Sequence, residues 1–271
     1  MKGLQLMMAG SACAALEQNI AQTMLANSSI LDRAKRGEPE YKDSLGWLDV
    51  NEWAGQPWLG RCQALAREVQ SHADVLVVVG IGGSNQAARA VVDAIGEKNG
   101  GIHIVWAGNN ISANSIKEVL KQLDGKSVYV NVIAKNFETL EPGIGFRALR
   151  SYLKERFGRA YGERIICTGT EGSHLHSLCK RHGFRFLPFP SNIGGRFSAL
   201  SPVGLFPMAA AGIDIQALVE GAREMYAQLQ RECAGEDQAL RYAAIRNLLY
   251  QKGYRMEMLS FFEPRLFRFS R

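Results

Sequence analysis

The chain of 271 residues lacks long apolar runs and is poor in proline and cysteine. No apolar run reaches the roughly 18 residues that a membrane-spanning helix needs, so we expect no membrane partner. The five cysteines are widely spaced and form no Cys-x-x-Cys pair, which favours free thiols in a reducing compartment over a disulfide framework. Residues 1–16 carry one lysine and an interrupted apolar stretch, so we expect an amphipathic helix there instead of a signal peptide. Together these features predict a cytoplasmic location.

Several familiar motifs are also missing. Glycines at 80 and 82 begin a dinucleotide fingerprint, but Asn85 stands where the third glycine belongs. Gly125-Lys126-Ser127 ends like a P-loop, yet the first glycine of that motif is replaced by Leu120. The histidines and cysteine of residues 174–182 point in different directions on a helix, which argues against a metal site. We therefore expect no metal and no organic cofactor.

The charge balance argues against one further class of partner. The chain has 32 Lys and Arg against 26 Asp and Glu, a formal net charge of +6. This mild basicity suits small anionic ligands. The basic residues are scattered along the sequence and no nucleic-acid-binding motif is present, so the sequence predicts no nucleic-acid partner.

The chain does contain a regular alternation of apolar runs and helical segments. Such an alternation predicts an α/β fold, a three-layer sandwich with a five-stranded, parallel, doubly wound sheet, N-terminal helices and a C-terminal helical extension. We expect an N-terminal helical segment over 1–70, the α/β domain over 71–200 and the extension over 201–271. The five expected strands are 74–79, 102–106, 127–134, 164–168 and 184–188.

Ligands of open parallel sheets bind beyond the carboxyl ends of the strands, so the loops there are the candidate site. Gly80-Ile-Gly-Gly-Ser84 follows the first strand, and its glycines let backbone N–H groups approach an anion. Ser84 is expected to cap the next helix. Lys135 follows the third strand and Arg196 follows the fifth, and both could contact an anionic ligand. A tight turn without a ligand and solvated surface cations are the alternative interpretations.

Three segments carry a resemblance to a known family: VVVGIGGSNQAARAV, VIAKNFETLEPGIGFR and NIGGRFSALSPVGLFPMAAAGIDIQALVEGAR. They resemble the bacterial form of glucose-6-phosphate isomerase, a family built from two sugar isomerase (SIS) domains. The resemblance runs in order from about residue 45 to the C-terminus. It implies a glycolytic and gluconeogenic isomerase without cofactors, which interconverts glucose 6-phosphate and fructose 6-phosphate through an enediol.

The resemblance also implies roles for single residues. Gly83 and Ser84 would bind substrate, and Lys135 and Thr139 would lie in the phosphate-binding loop. Arg196 would be the catalytic arginine that stabilises the enediolate, since a fixed guanidinium lowers the free energy of a developing oxyanion.

The phosphate loop departs from the family pattern S-K-T/S-x-T-T-x-E. The first serine is Ala134, the third position is Asn136, and Glu138 replaces a threonine. Three hydroxyl donors are lost, and one of them is replaced by a carboxylate where a dianion would bind. A neutral donor to a charged group contributes about 1.5–3 kcal/mol, so we expect weaker phosphate binding unless Glu138 points outward.

The family's Q-L-x-x-E-S motif, with its catalytic glutamate, and a later histidine and lysine have no counterpart in these 271 residues. Proton transfer between C1 and C2 needs a base, so we expect a truncated, N-terminal half with little turnover alone. Its partners would be sugar phosphates and either a second copy in a homodimer or a chain that supplies the missing half. A non-catalytic sugar-phosphate-binding SIS module is the alternative.

Overall fold

The computed structural model describes residues 16–30, 45–97, 100–231 and 237–270, together with positions 33, 36, 38 and 40. The expected helix over residues 1–16 lies almost entirely outside this part. The α-helices are α1 (Glu17–Asn27), α2 (Val50–Ala54), α3 (Trp58–His72), α4 (Gly83–Ile95), α5 (Ala113–Gln122), α6 (Leu140–Phe157), α7 (His174–His182), α8 (Pro202–Ala210), α9 (Ile215–Arg231) and α10 (Gln238–Gln251). Short 3₁₀ helices occupy Gly46–Leu48, Gly158–Arg164, Gly195–Phe197 and Pro264–Ser270.

The five strands form one parallel sheet in the order β2-β1-β3-β4-β5, which confirms the predicted fold class. They are β1 (Val75–Val79), β2 (His103–Ala107), β3 (Val128–Ile133), β4 (Ile165–Gly169) and β5 (Arg185–Pro188). Every residue of β1, β3 and β4 is buried, as continuous β-branched runs predict for strands covered on both faces. The chain winds in opposite directions from β1, so the topological switch point lies between β1 and β3.

Helices cover both faces of the sheet. On one face, α3, α4 and α8 pack against alternate strand residues such as Leu76, Val78 and Ile104. On the other face, α6 and α7 pack against the intervening residues, among them Val77 and Val130. All nine residues of α8 are buried, because this small apolar helix lies under the sheet and not at its surface. The result is the three-layer arrangement expected from the sequence.

The chain divides into two compact units, Met1–Lys42 with Glu220–Ser260, and Asp43–Val219 with Phe261–Arg271. In the first unit, Ile20 and Met24 of α1 pack against Ala244 of α10. The second unit contains the whole sheet. The division of the sequence at residues 70 and 200 stays a prediction.

No helix in the described ranges is both long and apolar enough to cross a membrane.

Candidate functional site

Three loops meet at the carboxyl edge of the sheet. The first, residues 80–84, links β1 to α4; the second, residues 134–139, links β3 to α6; the third, residues 189–198, follows β5. The first two begin on either side of the switch point, where open α/β sheets bind their ligands. Of the predicted site residues, Lys135, Thr139 and Arg196 lie in the second and third loops, and Gly83 and Ser84 lie in the first turn of α4, where the first loop ends.

The first and third loops are in direct backbone contact. A Cβ atom on Gly83 would lie 1.8 Å from the carbonyl oxygen of Gly195 and 2.8 Å from the backbone nitrogen of Arg196. Gly82 has a φ of 58°, a left-handed conformation that favours glycine. Glycine at 82 and 83 therefore lets the start of α4 approach the arginine loop more closely than any side chain would permit.

Ser84 does not have the capping role expected from the sequence. The helix cap is Gly82, which makes no side-chain hydrogen bond, and Ser84 lies inside the first turn of α4. Within the described ranges, no group accepts a hydrogen bond from its hydroxyl. The hydroxyl thus lies beside the N–H groups at the start of α4. The hydroxyl and these N–H groups can all donate hydrogen bonds to an anion.

Lys135 joins the second loop to the third. Its Nζ atom donates hydrogen bonds to the carbonyl oxygens of Ser191, at 2.8 Å, and Ile193, at 3.1 Å. An ammonium group has three donors, so one N–H remains for a ligand. Sequence reasoning predicted a phosphate contact at this lysine and missed its structural role, because the two carbonyls lie 56 and 58 residues away.

Beyond Lys135, the second loop is exposed apart from Phe137. Phe137 has a φ of 65°, which is unusual for a residue with a side chain, and its ring packs edge-on against Phe146 at 6.0 Å. Thr139 is the cap residue of α6, and no group in the described chain pairs with its exposed hydroxyl. Glu138 is exposed as well, so its carboxylate lies at the rim of the loop.

The third loop presents Arg196 to solvent. Arg196 lies in the 3₁₀ helix Gly195–Phe197 and forms no ion pair with a described residue. The ring of the adjacent Phe197 stacks on Trp47 at 5.2 Å. Asn192 accepts a hydrogen bond from Trp53 Nε1 at 3.1 Å. Residues 45–53 thus brace the arginine loop, a function that no local sequence signal predicted.

The site brings two cations together with two helix N-termini. Lys135 and Arg196 contribute two cations, and the N-terminal ends of α4 and α6 add partial positive charge. Glu138 contributes a carboxylate from the second loop. Across the residues that the structure describes, no group of three or more His, Cys, Asp and Glu side chains could hold a metal ion. The arrangement can bind an anion and stabilise negative charge near Arg196.

A separate cavity of about 210 Å³ lies beyond the end of β2, between α5 and α6. Gly108, Asn110, Ile116 and Leu149 are among its lining residues. None of the five predicted site residues lines it. The cavity is therefore distinct from the three-loop site.

A model of the Phosphoglucose isomerase family matches residues 58–271. The chain is 39% identical over 235 residues to a glucose-6-phosphate isomerase of Exiguobacterium sibiricum, and 38% identical to one of Shouchella clausii. Each match covers 83% of this chain and 52% of the relative.

Two solved structures are similar. A hypothetical protein from Thermus thermophilus superposes with a TM-score of 0.71 at 29% identity, covering 88% of this chain and 54% of that one. A glucose-6-phosphate isomerase from Chlamydia trachomatis shares the fold, with a TM-score of 0.60 at 24% identity over 71% of this chain and 37% of the other.

The chain spans about half the length of the curated relatives it matches. The family match covers the sheet and all three loops of the candidate site. The chain belongs to the phosphoglucose isomerase family.

Proposed function

We propose that this chain forms the sugar-phosphate-binding part of a glucose-6-phosphate isomerase. The observation that carries the proposal is the convergence of three loops at the switch point. Gly83 lies against the backbone of the Arg196 loop, and Lys135 is bonded to the same loop through two carbonyls. These contacts fix the glycine-rich turn, the lysine and the arginine relative to one another.

The phosphate of the substrate would lie at the N-terminal ends of α4 and α6. The hydroxyls of Ser84 and Thr139 and the remaining N–H of Lys135 are the donors available to it. Backbone N–H groups at helix starts bind such anions without a further cation. The exposed position of Glu138 keeps its carboxylate at the edge of this group of donors.

Arg196 would act on the sugar and not on its phosphate. In an aldose–ketose isomerisation, a proton leaves C2 and the carbonyl oxygen at C1 gains negative charge, which gives an enediolate. The guanidinium of Arg196 is exposed and forms no ion pair with a described residue, so it can donate to that oxygen. The proton itself needs a base within hydrogen-bond reach. We assign that base to none of Glu138, Glu141 or Glu171.

The test is proton NMR of glucose 6-phosphate in D2O with the purified protein. We expect the substrate lines to broaden while the C2 proton signal persists and no fructose 6-phosphate appears. Exchange of C2 with product formation would show that a base lies within these residues, and would overturn the assignment of a binding part only. Unchanged lines would overturn the sugar-phosphate site itself.

The variant Arg196→Gln separates the two roles of the site. It should still broaden the substrate lines, because the phosphate donors remain. In a preparation with turnover, it should lower the rate strongly, while Arg67→Gln, an exposed arginine on α3, should leave the rate unchanged. Equal effects of the two substitutions would contradict the role of Arg196.

A second candidate function is a sensor that binds sugar phosphate without catalysis. Hydroxyl donors of the family pattern are lost at Ala134, Asn136 and Glu138, and Glu138 adds a carboxylate; both changes favour this alternative. If this chain is one part of a split enzyme, adding a second chain that carries the family's Q-L-x-x-E-S motif should restore turnover. If this chain is a sensor, the same addition should produce no turnover. A homodimer, if it forms, would be seen in the molecular mass in solution.

A further inference from the structure

The net positive charge of the protein is concentrated in one stretch of the chain. Residues 147–185 contain nine Lys and Arg against three Glu, a net charge of +6, which equals the charge of the whole chain. Of these nine cations, only Arg185 forms an ion pair within the described residues, with Glu68. Most of the cations in this stretch therefore have no carboxylate partner among the described residues.

Three elements bring part of this charge to one place. Arg147, Arg150 and Lys154 recur at spacings of three and four on α6, so they share one face of the helix. Arg181 and His182 end α7, and the 3₁₀ helix after α6 supplies Tyr161. We refer to Arg150, Lys154, Tyr161, Arg181 and His182 as the Arg150 cluster.

Direct contacts hold the cluster together. Arg150 Nη2 donates to His182 Nε2 at 3.0 Å and to the Tyr161 hydroxyl at 3.4 Å. The Arg150 guanidinium lies 5.7 Å from the ring centre of Phe184, and Lys154 Nζ lies 5.3 Å from that of Tyr161. The His182 ring stacks on Phe184 at 5.3 Å. These contacts position the cations, yet none of them supplies a negative charge.

The guanidinium of Arg150 also has an unused donor. Its Nε atom is buried and has no hydrogen-bond partner within the described ranges. Arginine carries five N–H donors in a rigid fork that matches phosphate oxygens. Because the Nε atom is enclosed by the protein, an anion would contact the Nη atoms of the same fork.

Helix dipoles explain only part of the arrangement. Cations at a helix C-terminus are favourable, because the end carries roughly half a negative charge. The ends of α6 and α7 together offset about one positive charge. Arg150, Lys154 and Arg181 carry three, so an excess of about two remains. Arg147, on the same face of α6, adds a further cation, so a chain of phosphates balances this group better than a single phosphate ester, which carries a charge of about −1.5 to −2.

We propose that the Arg150 cluster binds a polyphosphate anion, at the edge of the sheet opposite to the three-loop site. The position follows from the topology, since α7 ends at His182 and β5 begins at Arg185, on the edge where the strands start. The ligand class is a linear chain of phosphates, free or attached to a nucleoside.

The proposal couples binding to pH. Partial loss of water, and then the positive charges of Arg150, Arg181 and Lys154, lower the pKa of His182. The facing groups are Arg150 and Lys154 from α6, Tyr161 from the 3₁₀ helix and Arg181 from α7 itself. A bound polyanion offsets these charges and raises the pKa of His182. By reciprocity, binding tightens as the pH falls through the range in which His182 takes up a proton.

The test is titration with sodium tripolyphosphate, followed by calorimetry and by the NMR signals of the His182 ring. We expect a rise in the pKa of His182 and weaker binding at higher salt. The double variant Lys154→Gln/Arg181→Gln should weaken binding at least about tenfold, because each charged donor contributes strongly. The matched control Lys117→Gln/Lys121→Gln, on the exposed face of α5, should stay within about twofold.

Further arms locate and identify the ligand. The variant Lys135→Met, in the three-loop site, should leave the His182 response to tripolyphosphate unchanged, because that site lies at the opposite edge of the sheet from His182. If ATP binds with the same affinity as tripolyphosphate, the cluster recognises the phosphates alone. If ATP binds more tightly, the ligand is a nucleotide. Equal affinity for orthophosphate, an unchanged pKa of His182, or full binding by Lys154→Gln/Arg181→Gln would each overturn the proposal. Preferred binding of single-stranded RNA across further cations would overturn it in favour of a nucleic-acid surface.

Discussion

The backbone of Gly83 lies so close to Gly195 that a Cβ atom at position 83 would meet the Gly195 carbonyl oxygen at 1.8 Å. No real Cβ atom approaches a backbone oxygen so closely, and neither group is the flexible end of a side chain. The start of α4 and the loop of Arg196 can therefore pack this closely only because residue 83 has no side chain.

Gly83→Ala is expected to push the two loops apart. The strain should lower the free energy of unfolding by about 1–3 kcal/mol, as overpacking usually does, and should abolish sugar-phosphate binding. Urea unfolding gives the first quantity and NMR line broadening of glucose 6-phosphate gives the second. Gly143→Ala is the matched control. Gly143 lies in α6 with no heavy atom within 4 Å of the added Cβ, so the change should be neutral or stabilise by up to about 1 kcal/mol.

Lys135→Met tests the bond between the second and third loops. The variant loses the charge-assisted hydrogen bonds to the carbonyls of Ser191 and Ile193. We expect the free energy of unfolding to fall by about 1–3 kcal/mol, with loss of sugar-phosphate binding. Lys121→Met, an exposed lysine on α5, should change neither quantity. A Lys135→Met protein with unchanged stability and lost binding would show that the lysine serves the ligand alone.

Glu138→Thr restores a hydroxyl of the family pattern and removes the carboxylate from the second loop. We expect glucose 6-phosphate to bind about five- to thirtyfold more tightly, from ~1–2 kcal/mol of regained hydrogen bonding and lost repulsion. Glu138→Gln removes the charge without adding the hydroxyl, so its affinity should fall between those of the original and Glu138→Thr. Dissociation constants from NMR titration with glucose 6-phosphate compare the original protein with the two variants. Affinities unchanged in both variants would mean that the exposed Glu138 lies too far from the bound phosphate to matter.

The sheet could be predicted closely because its strands are buried on both faces. A continuous run such as Val75–Val79 has no other stable location, and each expected strand begins and ends within one residue of the observed one. The order of the strands was beyond local pattern, since it depends on pairing between β1 and β3, which are separated by β2 in the chain.

The convergence of the three loops was predictable, and the contacts that hold them together were less so. Parallel strands end at one edge, so the loops carrying Gly83, Lys135 and Arg196 had to converge there. The brace from Trp53 to Asn192 joins residues 139 positions apart, and nothing in either local sequence indicates it. The capping role predicted for Ser84 was wrong because Gly82, with its positive φ, ends the turn one residue before the helix.

The buried thiols give a prediction that is independent of the ligand site. Cys62 is fully buried, and desolvation raises the pKa of its thiol to about 12. Cys167 is fully buried too, and a hydrogen bond with Cys179, together with burial, raises its pKa. Alkylation requires the thiolate and access to solvent, so neither residue should react with iodoacetamide at about pH 8 in the folded protein. Peptide mass spectrometry across a urea series should show labelling of both rising together with global unfolding. Labelling of Cys62 well before the unfolding midpoint would show that α3 opens locally from the sheet.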